Sequence, residues 1–259
     1  MRLDAIIALQ ALSKAIRRTK RKVEIRGYVL YESQDYVVIA TLKSTNGKTG
    51  NMVQIWIFYR HQKPTDAVKS GNDATVCFNC PLRGEKCYVN LAKAPNGIWK
   101  AYQRGNYPVL TSDRYPEIFG GRKVRFGAYG DPVLVPVEIV RAIVAIADGW
   151  TGYTHQWRKS EYQEFRQYLM ASCDHTSDVA LADSLGWRHF RTRLADGAIL
   201  PGEIICPASD EGGKRTQCIR CLLCDGKKAM SDARKSIVII VHGVGAKNFV
   251  PLMSIAPAA

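Results

Sequence analysis

The chain contains no apolar run of the roughly 18 residues that a membrane-spanning helix needs. Its strongest apolar stretch, SIVIIVHGVGA, is interrupted by histidine and glycine. Internal repeats and low-complexity segments are absent as well. No GxGxxG or GxxxxGK phosphate loop, no nucleophile elbow and no HExxH helix occurs, which removes the familiar motif-borne chemistries. A nuclease or replication initiator would need clustered carboxylates, or a tyrosine nucleophile beside a metal-binding histidine pair. Twelve tyrosines are present but no HxH pair, so that class ranks last. The opening MRLDAIIALQALSKAIRRTKRK places apolar residues before basic ones, the reverse of a secretory signal. A soluble cytoplasmic protein without a membrane partner is the expectation.

What the chain does have is sulfur. Eight cysteines in 259 residues, in a compartment that keeps thiols reduced, suggest metal ligation before disulfides. An oxidising compartment would permit four bridges instead, but the CxxC spacings favour a metal. The first set is Cys77-x2-Cys80-x6-Cys87. Three thiolates can hold three corners of an iron–sulfur cube and leave one iron open, or bind zinc with a fourth ligand. His61 and His155, the nearest histidines on either side, are distant in sequence, which leans toward an open position. The second set is Cys206-x11-Cys218-x2-Cys221-x2-Cys224, and its four thiolates suit either a closed cluster or a tetrahedral zinc. Cys173 is left over, either a small buried residue or an active-site thiol beside Asp174.

The hydrophobic pattern predicts an amphipathic helix over 3–17, then three antiparallel strands in VEIRGYVLYE, DYVVIATLK and NMVQIWIFY. Beyond the first cysteine set, strands alternate with helices. Strands are expected in KVRFGAYGDP, WTGYTHQW, YLMASCD, WRHFRTR, GEIICPAS and SIVIIVHG, and helices in IWKAYQR, VPVEIVRAIVAIAD, EYQEFRQ and DVALADSLG. The expected class is α/β, with a helix and meander over 1–74 and a β/α domain carrying both cysteine sets over 75–259. Such alternation builds a parallel sheet, and its chemistry gathers at the carboxyl ends of the strands. Those ends carry Tyr129-Gly130-Asp131, Thr154-His155-Gln156, Ser172-Cys173-Asp174, Cys206 and His242-Gly243.

Each of these side chains has an ordinary reading beside the functional one. Asp131 contacts a bound cofactor or initiates the turn before Pro132. His155 is an acid/base or ligand, or a satisfied core histidine. Asp174 positions a substrate or tunes Cys173, or merely caps a loop. They count as a site only if they converge in one pocket.

The net charge of +14 favours a polyanionic partner, most simply nucleic acid. Its densest run is Arg17, Arg18, Lys20, Arg21 and Lys22. Trp99, Tyr102, Arg104 and Tyr107 either stack on bases or pack their rings on the sheet.

Taken together, the cysteine loop ending CYV, then VRFGAYGDP, GYTHQW, MASCD and ICPAS…CIRCLLCDG…SIVIIVHG, resemble a group of phage and prophage proteins. That group is itself similar to the radical S-adenosylmethionine enzymes, and the resemblance spans roughly residues 75–243. It implies a partial (β/α) barrel with the meander as an N-terminal addition. It further implies that Cys77, Cys80 and Cys87 hold a [4Fe–4S] cluster whose open iron is chelated by S-adenosylmethionine. Tyr88 would match the aromatic of that loop. Gly127, Tyr129, Gly130 and Asp131 would lie at the methionyl end of the cofactor, and Cys206, Cys218, Cys221 and Cys224 would hold an auxiliary cluster. The family's usual spacing is CxxxCxxC, whereas this chain has CxxCxxxxxxC. A barrel that has kept its metal and lost the cofactor, or a zinc protein on that scaffold, remains open.

Two functions follow as expectations. One is an iron–sulfur enzyme acting on nucleic acid or a nucleotide, with a substrate near Asp131, His155, Cys173 and Asp174. The other is a zinc-stabilised DNA- or RNA-binding protein of phage replication.

Overall fold

A computed structural model describes residues 24–249. The helix expected at 3–17 and the basic run at 17–22 lie outside the described residues. The next three segments form the expected meander: β1 (Gly27–Glu32), β2 (Tyr36–Thr41) and β3 (Val53–Tyr59), antiparallel throughout. Val53 to Phe58 are all buried, the mark of a strand covered on both faces.

The strand is also interior to its sheet, with a second neighbour. β3 pairs in parallel with β4 (Lys123–Tyr129), which pairs in parallel with β5 (Gly149–Thr151). The result is a five-stranded mixed sheet of order β1-β2-β3-β4-β5. Parallel neighbours need a crossover. Helices at Pro64–Ser70, Ala74–Cys77, Ala94–Gln103 and Tyr115–Phe119 lie on the first, and Val137–Ile146 on the second.

Gly152 alone separates β5 from β6 (Tyr153–Thr154), where a second sheet begins. Its other strands are β7 (Met170–Cys173), β8 (His189–Arg193), β9 (Glu203–Ile205) and β10 (Ser236–Ile240). All pairings are parallel, in the order β6-β7-β8-β10-β9. The last strand thus inserts between β8 and β9, an order the sequence did not reveal. Gly152 stitches the sheets: its N–H donates to the Cys224 carbonyl and its carbonyl accepts from the Met170 N–H, both at 3.0 Å.

The boundary expected between residues 74 and 75 falls on the connection from β3 to β4. β3 is therefore both the last strand of the meander and the first of the parallel run. Val38, Ile55 and Phe58 share one core with Phe126, Leu169 and Trp157.

Strand alternation places the site. Trp56 on β3, Arg125 on β4, Tyr153 on β6, Ser172 on β7, Phe190 on β8 and Ile239 on β10 all line one cavity of about 1510 Å³. Ile55, Phe126, Cys173 and Val238, of opposite parity, are buried away from it, as the two-residue period of a strand requires.

The aromatic–basic stretch packs on the sheet. Trp99 Nε1 donates to the Tyr59 carbonyl at 3.0 Å, and the Tyr102 hydroxyl donates to Glu32 Oε1 at 2.6 Å. The polar groups of Trp99 and Tyr102 are thus engaged within the protein.

Candidate functional site

The first cysteine loop leaves β3 through the helices at 64–70 and 74–77 and is held by a buried carboxylate. Arg83 donates to Asp73 through Nε (3.1 Å) and Nη2 (2.7 Å), and through Nη1 to the Phe78 carbonyl (2.9 Å). Asp73 is only 2% exposed, so this fork is the loop's anchor. A bond from the Asp131 N–H to the Val76 carbonyl (2.7 Å) ties the loop to the end of β4.

That strand end is irregular for a reason the sequence carries. Between Gln54 and Trp56 on β3 the register with β4 jumps from Arg125 to Tyr129, so β4 bulges. Gly127 lies in the bulge at φ +69°, and a Cβ there would stand 2.8 Å from Pro132 Cδ. The bulge brings Tyr129 toward the thiols: burial raises its pKa, and the charges of Cys77, Asp73 and Cys87 add to the rise. Its hydroxyl is buried and, among the described residues, has no hydrogen-bond partner within bonding distance.

Three expected residues, Asp131, His155 and Asp174, meet beside this loop. His155 Nε2 lies 3.1 Å from Asp174 Oδ2 and 4.0 Å from Cys80 Sγ. Asp131 Oδ2 accepts from the His155 N–H at 3.0 Å, and Oδ1 from the Val133 N–H at 3.2 Å. Asp131 is thus the turn residue of one reading, yet it lines the cavity and fixes where His155 sits. Burial works against the imidazolium of His155, but the Cys80 charge and the Asp174 bond hold its pKa well above the ordinary value.

Cys173 does not join them. It is fully buried among core side chains, while its neighbours Ser172 and Asp174 line the cavity. Strand parity points its thiol to the other face, the small buried residue of the ordinary reading.

The second cysteine set closes the opposite part of the same cavity. The Cys206 N–H donates to the Val238 carbonyl at 2.9 Å, extending the β9–β10 pairing. Buried Arg188 pins the loop after Cys221, donating through Nη1 to the carbonyls of Leu223 (2.9 Å) and Gly226 (3.0 Å). The turn between β2 and β3 reaches across as well. The Cys218 and Ile219 N–H groups donate to the Lys48 and Thr49 carbonyls, both at 3.0 Å.

All eight cysteines are free. Cys77, Cys80, Cys87, Cys206, Cys218, Cys221 and Cys224 all line the cavity. Burial pushes Cys77 well up, and the charges of Cys80 and Cys87 push the same way. Cys87 is raised to about 11, chiefly by burial. Burial likewise raises Cys218, Cys221 and Cys224, with Cys206 adding to each. Buried thiols that repel one another's charge ionise only when a cation joins them. As placed, no group of three or more His, Cys, Asp or Glu among the described residues closes to the spacing of a single bound ion.

Sequence reasoning missed two cations. Arg125, between Val124 and Phe126 on β4, and Lys48, in a stretch read as a plain turn, both face the cavity. A charge inside a strand covered on both faces was a legible signal for Arg125; nothing comparable marked Lys48. Tyr88 stands beside Arg125, whose Nη2 donates to its hydroxyl at 3.3 Å.

Among the described residues no helix is long and apolar enough to cross a membrane. Compared with protein-family models, curated proteins and solved structures, the chain matches none of them.

Proposed function

We propose that this protein is an iron–sulfur enzyme of the radical S-adenosylmethionine type acting on a nucleotide or nucleic acid. In this reading Cys77, Cys80 and Cys87 hold a [4Fe–4S] cluster with one iron open. Cys206, Cys218, Cys221 and Cys224 hold a second cluster, and the sheet is a partial (β/α) barrel. The observation that carries it is that both thiol sets open onto one cavity, where the β4 bulge, His155 and Asp174 also converge.

The residues present suit such a group. Three thiols beside open space match a cluster with a free coordination position. A cluster puts each thiolate on a different iron, so its ligands stand farther apart than the four around one zinc. The unpartnered Tyr129 hydroxyl has in a ligating Cys77 sulfur an acceptor to donate to. A cluster held there would supply one electron and an open iron for the cofactor to coordinate.

The chain's own residues supply the rest. Lacking a side chain, Gly127 lets Pro132 pack against the bulge, which sets the turn that carries Asp131. Asp131 holds His155, whose Nε2 keeps a proton between Asp174 and the loop. Phe190, Ile237 and Ile239 give the cavity an apolar wall. The cavity exceeds the roughly 300–1,000 Å³ of a single-ligand pocket, enough for a cofactor and a substrate together. The basic balance suits a phosphate-bearing substrate.

The test is iron, sulfide and zinc analysis of anaerobically purified protein, then reduction with S-adenosylmethionine and assay for methionine and 5′-deoxyadenosine. Iron, sulfide and both products are expected. Stoichiometric zinc without iron would replace this reading with a zinc-shaped nucleic-acid-binding protein, whose binding would weaken steeply with salt.

A further inference from the structure

Four side chains that carry no thiol, Arg125, Tyr88, His242 and Lys48, form a line in the cavity. Arg125 Nη2 donates to the Tyr88 hydroxyl at 3.3 Å, and the Tyr88 ring lies 6.2 Å from the His242 ring at an interplanar angle of 29°. His242 Nε2 in turn lies 3.0 Å from Lys48 Nζ, and its Nδ1 lies 3.2 Å from the Ile240 carbonyl. With Nδ1 donating to that carbonyl, Nε2 accepts from the ammonium, so the imidazole is neutral. The line thus carries two cations, and all four side chains face the cavity.

Among the described residues neither Lys48 nor Arg125 pairs with a carboxylate. Arg125 places its guanidinium over the Tyr153 ring, 5.6 Å from the centroid, and gives Tyr88 one of its five N–H donors. Two like charges that line one cavity, neither paired directly with a carboxylate among the described residues, repel each other, and an anion bound by both relieves that. Tyr88 is 41% exposed, unusual for a ring inside a cavity, which leaves part of its surface available for stacking.

We infer that Arg125 and Lys48 bind the phosphate of a nucleoside monophosphate whose base stacks on Tyr88 beside His242. This names the substrate of the proposed enzyme and rests on the cavity being its reaction chamber, but not on which metal the thiols hold. Arg125 suits the task because its planar fork matches phosphate geometry, whereas Lys48 acts as a point charge. The rival role for the same cations is to offset the charge of a metal bound by Cys206, Cys218 and Cys224.

The test is equilibrium dialysis of the full chain, its metal content recorded, against AMP, GMP, CMP and UMP. The matching nucleosides and inorganic phosphate are the control arms. At least one monophosphate should bind about tenfold or more tightly than its nucleoside, the effect of adding a charge-assisted bond. It should also bind more tightly than inorganic phosphate. Arg125→Gln and, independently, Lys48→Gln should erase the preference over the nucleoside while leaving nucleoside binding and metal content unchanged. Tyr88→Ala should weaken monophosphate and nucleoside alike. Equal binding of monophosphate and nucleoside, phosphate binding as tightly as the nucleotide, or no binding at all would overturn the inference. So would an Arg125→Gln protein that loses metal but keeps the preference. Cofactor cleavage plays no part in this measurement, so the two readings fail separately.

Discussion

Lys48 and Cys218 are joined through the backbone, the Cys218 N–H donating to the Lys48 carbonyl at 3.0 Å. Ile219 and Thr49 repeat the bond one residue on, at 3.0 Å, so the turn of the N-terminal meander is a wall of the second cysteine site. The meander is therefore no detachable appendage of the cysteine-bearing half.

That docking has a consequence at Gly50. It sits at φ +72°, and a Cβ there would lie 2.6 Å from Ile219 Cγ2. Gly50→Ala should cost about 1–2 kcal/mol from the left-handed backbone alone, with the clash in addition. Chemical denaturation reads the loss. Metal analysis should show depletion confined to the second set.

The fork between Arg83 and Asp73 should matter more for the first set. Arg83→Ala leaves a buried carboxylate short of its partner, a loss of about 1–3 kcal/mol. Arg83→Lys should rescue little, because an ammonium cannot reproduce the paired bonds. Denaturation midpoints and metal content of the two variants check this.

Acid should unfold the protein partly through Glu203, which lies on the far side of β8 from the cavity. Burial works to raise its pKa from 4.5, but the bonds from Arg191 and His189 hold it at about 2. Because the folded value is the lower one, its contribution is complete above pH 4.5 and drains away as pH falls toward 2. Arg191 reaches it at 2.6 Å through both Nε and Nη2. Glu203→Gln should cost about 3–5 kcal/mol at neutral pH and flatten stability against pH across that window. A wild-type slope retained in the variant would contradict this.

Cys173 provides a contrast to the other thiols. Cys173→Ala should leave metal content and cavity binding unchanged and cost about 1 kcal/mol from the void. Loss of metal in this variant would place the thiol on the wrong face of β7.

Much of this was legible in the residues. VQIWIFY and KVRFGAY announced strands through β-branched and aromatic content, and VEIVRAIVAI announced a helix through its apolar spacing. The cysteine spacing grouped the thiols into the two sets that the cavity brings together. Three features were not legible. Where both faces of a strand are covered, alternation in MASCD separates Cys173 from Ser172 and Asp174 but does not say which face is the cavity. The insertion of β10 between β8 and β9 depends on long-range pairing that SIVII and GEIIC carry no mark of. Lys48 reaches the site only because its turn docks on a loop 170 residues later, as the Gln217 Nε2 to Gly47 carbonyl bond at 2.8 Å shows.

The most direct measurement is the iron, sulfide and zinc content of anaerobically purified wild-type protein beside Cys87→Ala and Cys221→Ala. Two separate clusters predict iron and sulfide in the wild type and loss of a different portion of it in each variant. Zinc in place of iron, or unchanged metal in both variants, would contradict the account.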